Sequence, residues 1–310
     1  MNTKIFGFLV ILLIISIVPV ADAQISIGEK SNQRSVEVII NSDGNVHIKH
    51  VIASSNLPNQ TELIYGTVSN ISVTNEQGKE KQFSVIGDNI GVLIFPSNSD
   101  SIIEYDLEHV LLQKDNVWTW SFRYLESTSF IFPEEVDLIF TNERPVYFDE
   151  KKGITCHGCQ VILEYSINEP KILKNVKWGD AEFAVEIRSH SNIDKFVFDQ
   201  LTKSIIFDVL EKDKFVTVII PLELLWEPYL VFLDDEKIFF HKYLNNGTHV
   251  WLNMKPDSSG EISIIGTTVI PEFPIIAPLA IGFLMILAMP LMRKFNLRQN
   301  HTNKNHIHQF

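Results

Sequence analysis

Short runs of apolar and β-branched residues recur along the middle of this chain, over residues 35–40, 46–52, 91–95, 101–107, 117–124, 136–140, 160–166, 181–188, 204–209, 215–220, 229–233, 237–243, 248–253 and 261–265. Each is five to eight residues long, and Gly, Pro, Asn, Asp and Ser punctuate the gaps. That texture predicts strands. No window of helical length keeps an apolar period of 3.6 residues outside two segments at the chain ends. Turn chemistry agrees: Asp43-Gly44 and Asn246-Gly247 supply the positive φ angles of tight hairpins, and Asp234-Asp235-Glu236 closes a third. Closely spaced strands joined by such turns predict an all-β fold of two antiparallel β-sandwich-like domains, an N-terminal one over 24–170 and a C-terminal one over 171–268. The cut is set by the Pro170 region, where strand residues thin out.

The end segments differ in kind. Lys4 precedes the uncharged run 5–20, and Ala21-Asp22-Ala23 follows it as a small-x-small cleavage pattern. Residues 1–23 therefore read as a secretory signal peptide. Residues 275–292 are apolar without interruption. As a helix they would reach about 27 Å, close to the ~30 Å of a hydrocarbon core. Arg293, Lys294, Arg298 and Lys304 follow in a tail, 293–310, that has no acid. Cations beside a span stay cytoplasmic. The expected arrangement is one transmembrane helix in membrane lipid, with the body outside and the tail inside.

Charge fits that division. Of the chain's 26 basic and 38 acidic residues, Lys4, the four tail cations, Asp22 and Glu272 lie outside 24–268, which leaves 21 basic and 36 acidic residues in the body. A surface of net −15 excludes nucleic acid as a partner, because phosphate contacts need a basic face.

Three places carry candidate chemistry. Cys156-His157-Gly158-Cys159 holds both cysteines of the chain. It reads first as a disulfide at a turn ahead of strand 160–165, then as a thiol-redox centre, or as a soft-metal site for Cu(I) or Zn(II) built on Cys156, His157 and Cys159. A metal would need a further ligand such as His109 or His190. Asn59-Gln60-Thr61, Asn70-Ile71-Ser72 and Asn246-Gly247-Thr248 match the N-glycosylation pattern, and Asn59, Asn70 and Asn246 are expected in outward loops. Trp118-Thr119-Trp120 puts two indoles on one face of a sheet, as core residues. There is no Gly-x-Ser-x-Gly elbow, no His-Glu-x-x-His and no phosphate-cradling glycine loop. No catalytic residue and no cofactor is expected.

The stretches from Ser191 through Asp199, from Ser204 through Val209 and from Val216 through Leu225, and Ile264-Ile265-Gly266-Thr267-Thr268-Val269-Ile270-Pro271-Glu272-Phe273-Pro274, resemble the C-terminal domain and anchor of archaeal, thaumarchaeal-type cell-surface proteins that carry a Pro-Glu-Phe sorting signal. The resemblance implies an archaeosortase-like processing enzyme acting at Pro271, Glu272 and Phe273 in the linker 269–274. Pro274, where the family carries glycine, and the long tail favour a retained anchor. The family brings no enzymatic activity, so the expected role is structural or adhesive contact with envelope proteins or glycans. The alternative is a surface copper-binding or thiol-redox protein.

Overall fold

The computed structural model describes residues 28–149, 151–267 and 283–286. The signal peptide, the Pro-Glu-Phe motif, the tail and most of the expected span lie outside the described residues. Residues 283–286 form a single helical turn. Among the described residues no helix is long and apolar enough to cross a membrane.

Everything else is strand and turn. The chain divides into two compact units, Met1–Asn168 and Glu169–Phe310. In the first, a large sheet runs in the order Arg144–Tyr147, Leu138–Thr141, Gly153–Ser166, Val117–Ile131, Gln33–Ile40, Val46–Ile52, Ser101–Glu108, Thr67–Thr74, with Leu112–Lys114 added beside the start of Val117–Ile131. A smaller sheet joins Glu29–Lys30, Asn59–Glu62, Gly91–Ile94 and Phe83–Ile86. Side chains from both sheets share one core, with Val38, Ile48, Ile103 and Phe122 from the large sheet and Val92 and Ile94 from the small one. Strict alternation explains the layering. Val46, Ile48, His50 and Ile52 face inward while His47, Lys49 and Val51 face out.

Two pairings depart from the antiparallel expectation. Val36 to Ile39 lie parallel to Thr128 to Ile131, and Glu29–Lys30 lies parallel to Asn59-Gln60. A parallel pair needs a long crossover. The chain supplies one, because four strands of the large sheet and all but one of the small sheet intervene between Gln33–Ile40 and Val117–Ile131.

The second unit has two five-stranded sheets, paired antiparallel throughout. One runs Lys171–Trp178, Ala181–Ser189, Val216–Pro221, His249–Met254, His241–Asn245; the other runs Ile193–Asp199, Ser204–Val209, Gly260–Thr267, Trp226–Leu233, Glu236–Lys237. Val185, Ile187, Val218 and Leu252 of the first meet Ile205, Phe207, Val231 and Ile264 of the second in one buried cluster, which makes the unit sandwich-like. Asp234 and Asp235 have φ of 47° and 68°, the two left-handed positions of a tight hairpin turn.

Candidate functional site

The Cys156-His157-Gly158-Cys159 segment lies inside the strand Gly153–Ser166, paired to Val117–Ile131, and not at a turn before a strand as the sequence suggested. In a regular strand, positions three apart point to opposite faces and sit roughly 10 Å apart. Here the pairing slips between Tyr124 and Ser127, and Gly158 takes a φ of 59°. This bulge brings the two Cα atoms to 5.8 Å and turns both side chains toward the core, where Cys156 and Cys159 pack half-buried. They are joined in a disulfide. Parity shows the reset: Ile154 and Cys156 face inward before the bulge, and Cys159, Val161, Leu163 and Tyr165 after it. Gly158 is required there, because a Cβ would lie 2.7 Å from the Leu125 carbonyl oxygen.

His157 points outward, with Nδ1 2.9 Å from the Ser127 hydroxyl on the neighbouring strand. Both sulfurs are consumed by the bridge, so metal capture there would need prior reduction. Among the described residues no group of three His, Cys, Asp or Glu side chains is placed to hold a metal.

Beside the bulge lies a cavity of about 470 Å³, bordered by Glu62, Tyr65, Arg123, Tyr124 and Leu125. Tyr65 is 94% exposed and Leu125 71%, so the rim is open and presents apolar surface alongside the exposed charges of Glu62 and Arg123. Lys30 Nζ sits 2.7 Å from Oε1 of Glu126, the neighbour of Leu125 in Val117–Ile131, and that hydrogen bond and charge raise the amine's pKa.

Under the cavity runs a chain of polar groups that the sequence reading did not identify. The Ile64 N–H donates to the Tyr105 hydroxyl at 2.9 Å, and Tyr105 is 2.9 Å from His50 Nε2. His50 Nδ1 lies 2.8 Å from Gln33 Oε1, Gln33 Nε2 donates to the Tyr124 hydroxyl at 2.9 Å, and Tyr124 donates to the Glu62 carbonyl at 2.7 Å. With His50 neutral, one proton assignment satisfies all of them: Tyr105 donates to Nε2, and His50 donates from Nδ1 to Gln33. His50 is fully buried, and desolvation pushes its pKa down to about 3. Burial raises the Tyr105 and Tyr124 phenols, so both stay protonated donors. The network ties residues 62–64, which leave the small sheet, to four strands of the large one. A histidine at an inward position of an alternating strand was the available signal.

The glycosylation candidates separate by environment. Asn59 is not in a loop; it opens the strand Asn59–Glu62, paired between Glu29 and Ile94, and is 8% exposed, while Thr61 is fully buried. Asn70 is exposed at an irregularity in Thr67–Thr74, and its Nδ2 donates to Asp106 Oδ2 at 2.8 Å. With His47 on the other oxygen at 2.8 Å, this holds the Asp106 carboxyl below its usual range, the Asn70 bond contributing most. Asn246 is exposed on the hairpin turn, where its Oδ1 accepts from the backbone of Thr248 and His249 and from the Thr248 hydroxyl at 2.9 Å. Trp118 and Trp120 face inward together, Trp120 against Phe122 with ring centroids 5.2 Å apart. No protein-family model matches the chain, and no curated protein does.

Proposed function

We propose that the chain is a membrane-anchored protein of the cell envelope whose two all-β units stand outside the membrane and act through structural or adhesive contacts, without catalysis. The observation that carries this reading is the Cys156–Cys159 bridge on a half-exposed strand, the chemistry of an oxidising compartment. The acidic body and the cation-bearing tail support the same sidedness. In this reading residues 1–23 are removed on export, 275–292 span the lipid, and Pro271, Glu272 and Phe273 form the recognition point for an archaeosortase-like enzyme if the anchor is processed. Partners are envelope proteins or glycans.

Fractionation of cells carrying the full chain tests it. The protein should pellet with membranes, resist alkaline extraction and dissolve in detergent, and cells lacking it should show weakened envelope integrity or cell contact. Recovery as a freely soluble product would overturn the reading.

A further inference from the structure

The second unit has a cleft of about 440 Å³ at one end of its sheets, where three strand ends meet. Glu182 and Phe183 come from Ala181–Ser189, Pro221 from the end of Val216–Pro221 and Glu223 from the turn that follows it, and Gly247, Thr248 and His249 from the last hairpin; Trp226 closes the side as the chain crosses to the other sheet. Phe183, Pro221 and Leu222 are buried and form an apolar floor. Trp226 is 40% exposed and, of the five tryptophans, alone presents its indole to solvent to that degree. Glu182 and Glu223 are exposed at the mouth. An apolar floor, an accessible indole and convergent acceptors match a pyranose ring, whose C–H face packs on an aromatic surface while its hydroxyls donate outward.

The hairpin that borders this cleft is itself the acceptor sequence Asn246-Gly247-Thr248, and two of its three residues line the cavity. We infer that the cleft is the seat of the chain's own N-glycan on Asn246, whose first sugars pack on Trp226 with their hydroxyls toward Glu182, Glu223 and His249. This rests on the outward placement of the body. Tethering explains how so open a cleft holds a sugar. Attachment two residues away raises the local sugar concentration to the millimolar range or above, so weak stacking suffices.

The full chain, expressed in a host that modifies Asn-x-Thr sites, is compared before and after peptide N-glycosidase treatment, which leaves a side-chain oxygen to serve the turn. Glycopeptide mass spectrometry should find sugar on Asn246. Enzymatic removal should make tryptophan fluorescence more quenchable by acrylamide and lower the melting temperature of the second unit by about 4 °C. In Trp226→Ala the glycan should remain attached while its removal no longer shifts either reading. Sugar on Asn70 with Asn246 bare would overturn the inference and leave the outward reading standing, whereas no sugar on either would count against both. An occupied Asn246 whose removal leaves quenching and melting unchanged, or a bare chain whose Trp226 is shielded by added envelope oligosaccharide alone, would likewise overturn it.

Discussion

His50 makes the first unit acid-sensitive in a window where carboxylates are still silent. In the unfolded chain its imidazole titrates near 6.5, and in the folded core desolvation brings it to about 3. The sign follows from proton counting. Between these values the unfolded state binds a proton that the folded state refuses, so stability is full above pH 6.5 and is lost as pH falls. At about 1.36 kcal/mol per unit, roughly 2 kcal/mol disappears between pH 7 and 5 and about 4 kcal/mol by pH 3. Urea unfolding at pH 7, 6 and 5, followed through Trp118 and Trp120, reads the effect on this unit. In His50→Gln the slope should vanish. That variant should also cost about 1–2 kcal/mol at pH 7, since a neutral amide cannot serve both Tyr105 and Gln33 in the same geometry. A wild-type stability that stays flat from pH 7 to 5, or an unchanged slope in His50→Gln, would refute the buried neutral imidazole. Asp106, whose carboxyl is held below its usual range by hydrogen bonds, adds a loss in the same direction only at lower pH.

Other outcomes follow from the same geometry. Replacing Cys156 and Cys159 together by serine should cost the first unit about 2 kcal/mol, the value for a loop this short, read by urea unfolding. Gly158→Ala should cost about 1–3 kcal/mol and slow formation of the bridge, because the left-handed φ and the Leu125 carbonyl both oppose a Cβ; thiol titration and unfolding check it. The buried Tyr165 hydroxyl has no hydrogen-bond partner among the described residues, so Tyr165→Phe should be neutral or stabilise by up to about 1 kcal/mol. Glycopeptide mapping of folded protein should find Asn59 unmodified, since its side chain is packed in the sheet.

Period-two alternation made most of the fold readable. The run from Val46 to Ile52, the Asp43-Gly44, Asp234-Asp235 and Asn246-Gly247 turns, and the inward pair Trp118 and Trp120 all sit where local chemistry put them. What escaped depended on partners distant in sequence. Lys171–Trp178 is absent from the runs that predict strands because Leu173 and the lysines blur its alternation; it is an edge strand, defined by eight pairs with Ala181–Arg188. The Cys-His-Gly-Cys segment looked like a turn because cysteines three apart break strand parity, and only the facing irregularity at Leu125 and Glu126 lets a strand absorb them. Asn59 looked like loop because Pro58 and polar neighbours surround it, but the small sheet forms across it. Beyond the inward parity of His50, nothing local in Gln33, Tyr105 and Tyr124 announces a network, since its members are brought together by three strand pairings across ninety residues of chain.

The placement of the two β units relative to the membrane is tested most directly by protease added to intact cells. The account predicts that the acidic body is released in fragments while the stub beyond Arg293 survives until the cells are opened. A body that withstands the protease while the stub is digested would contradict it.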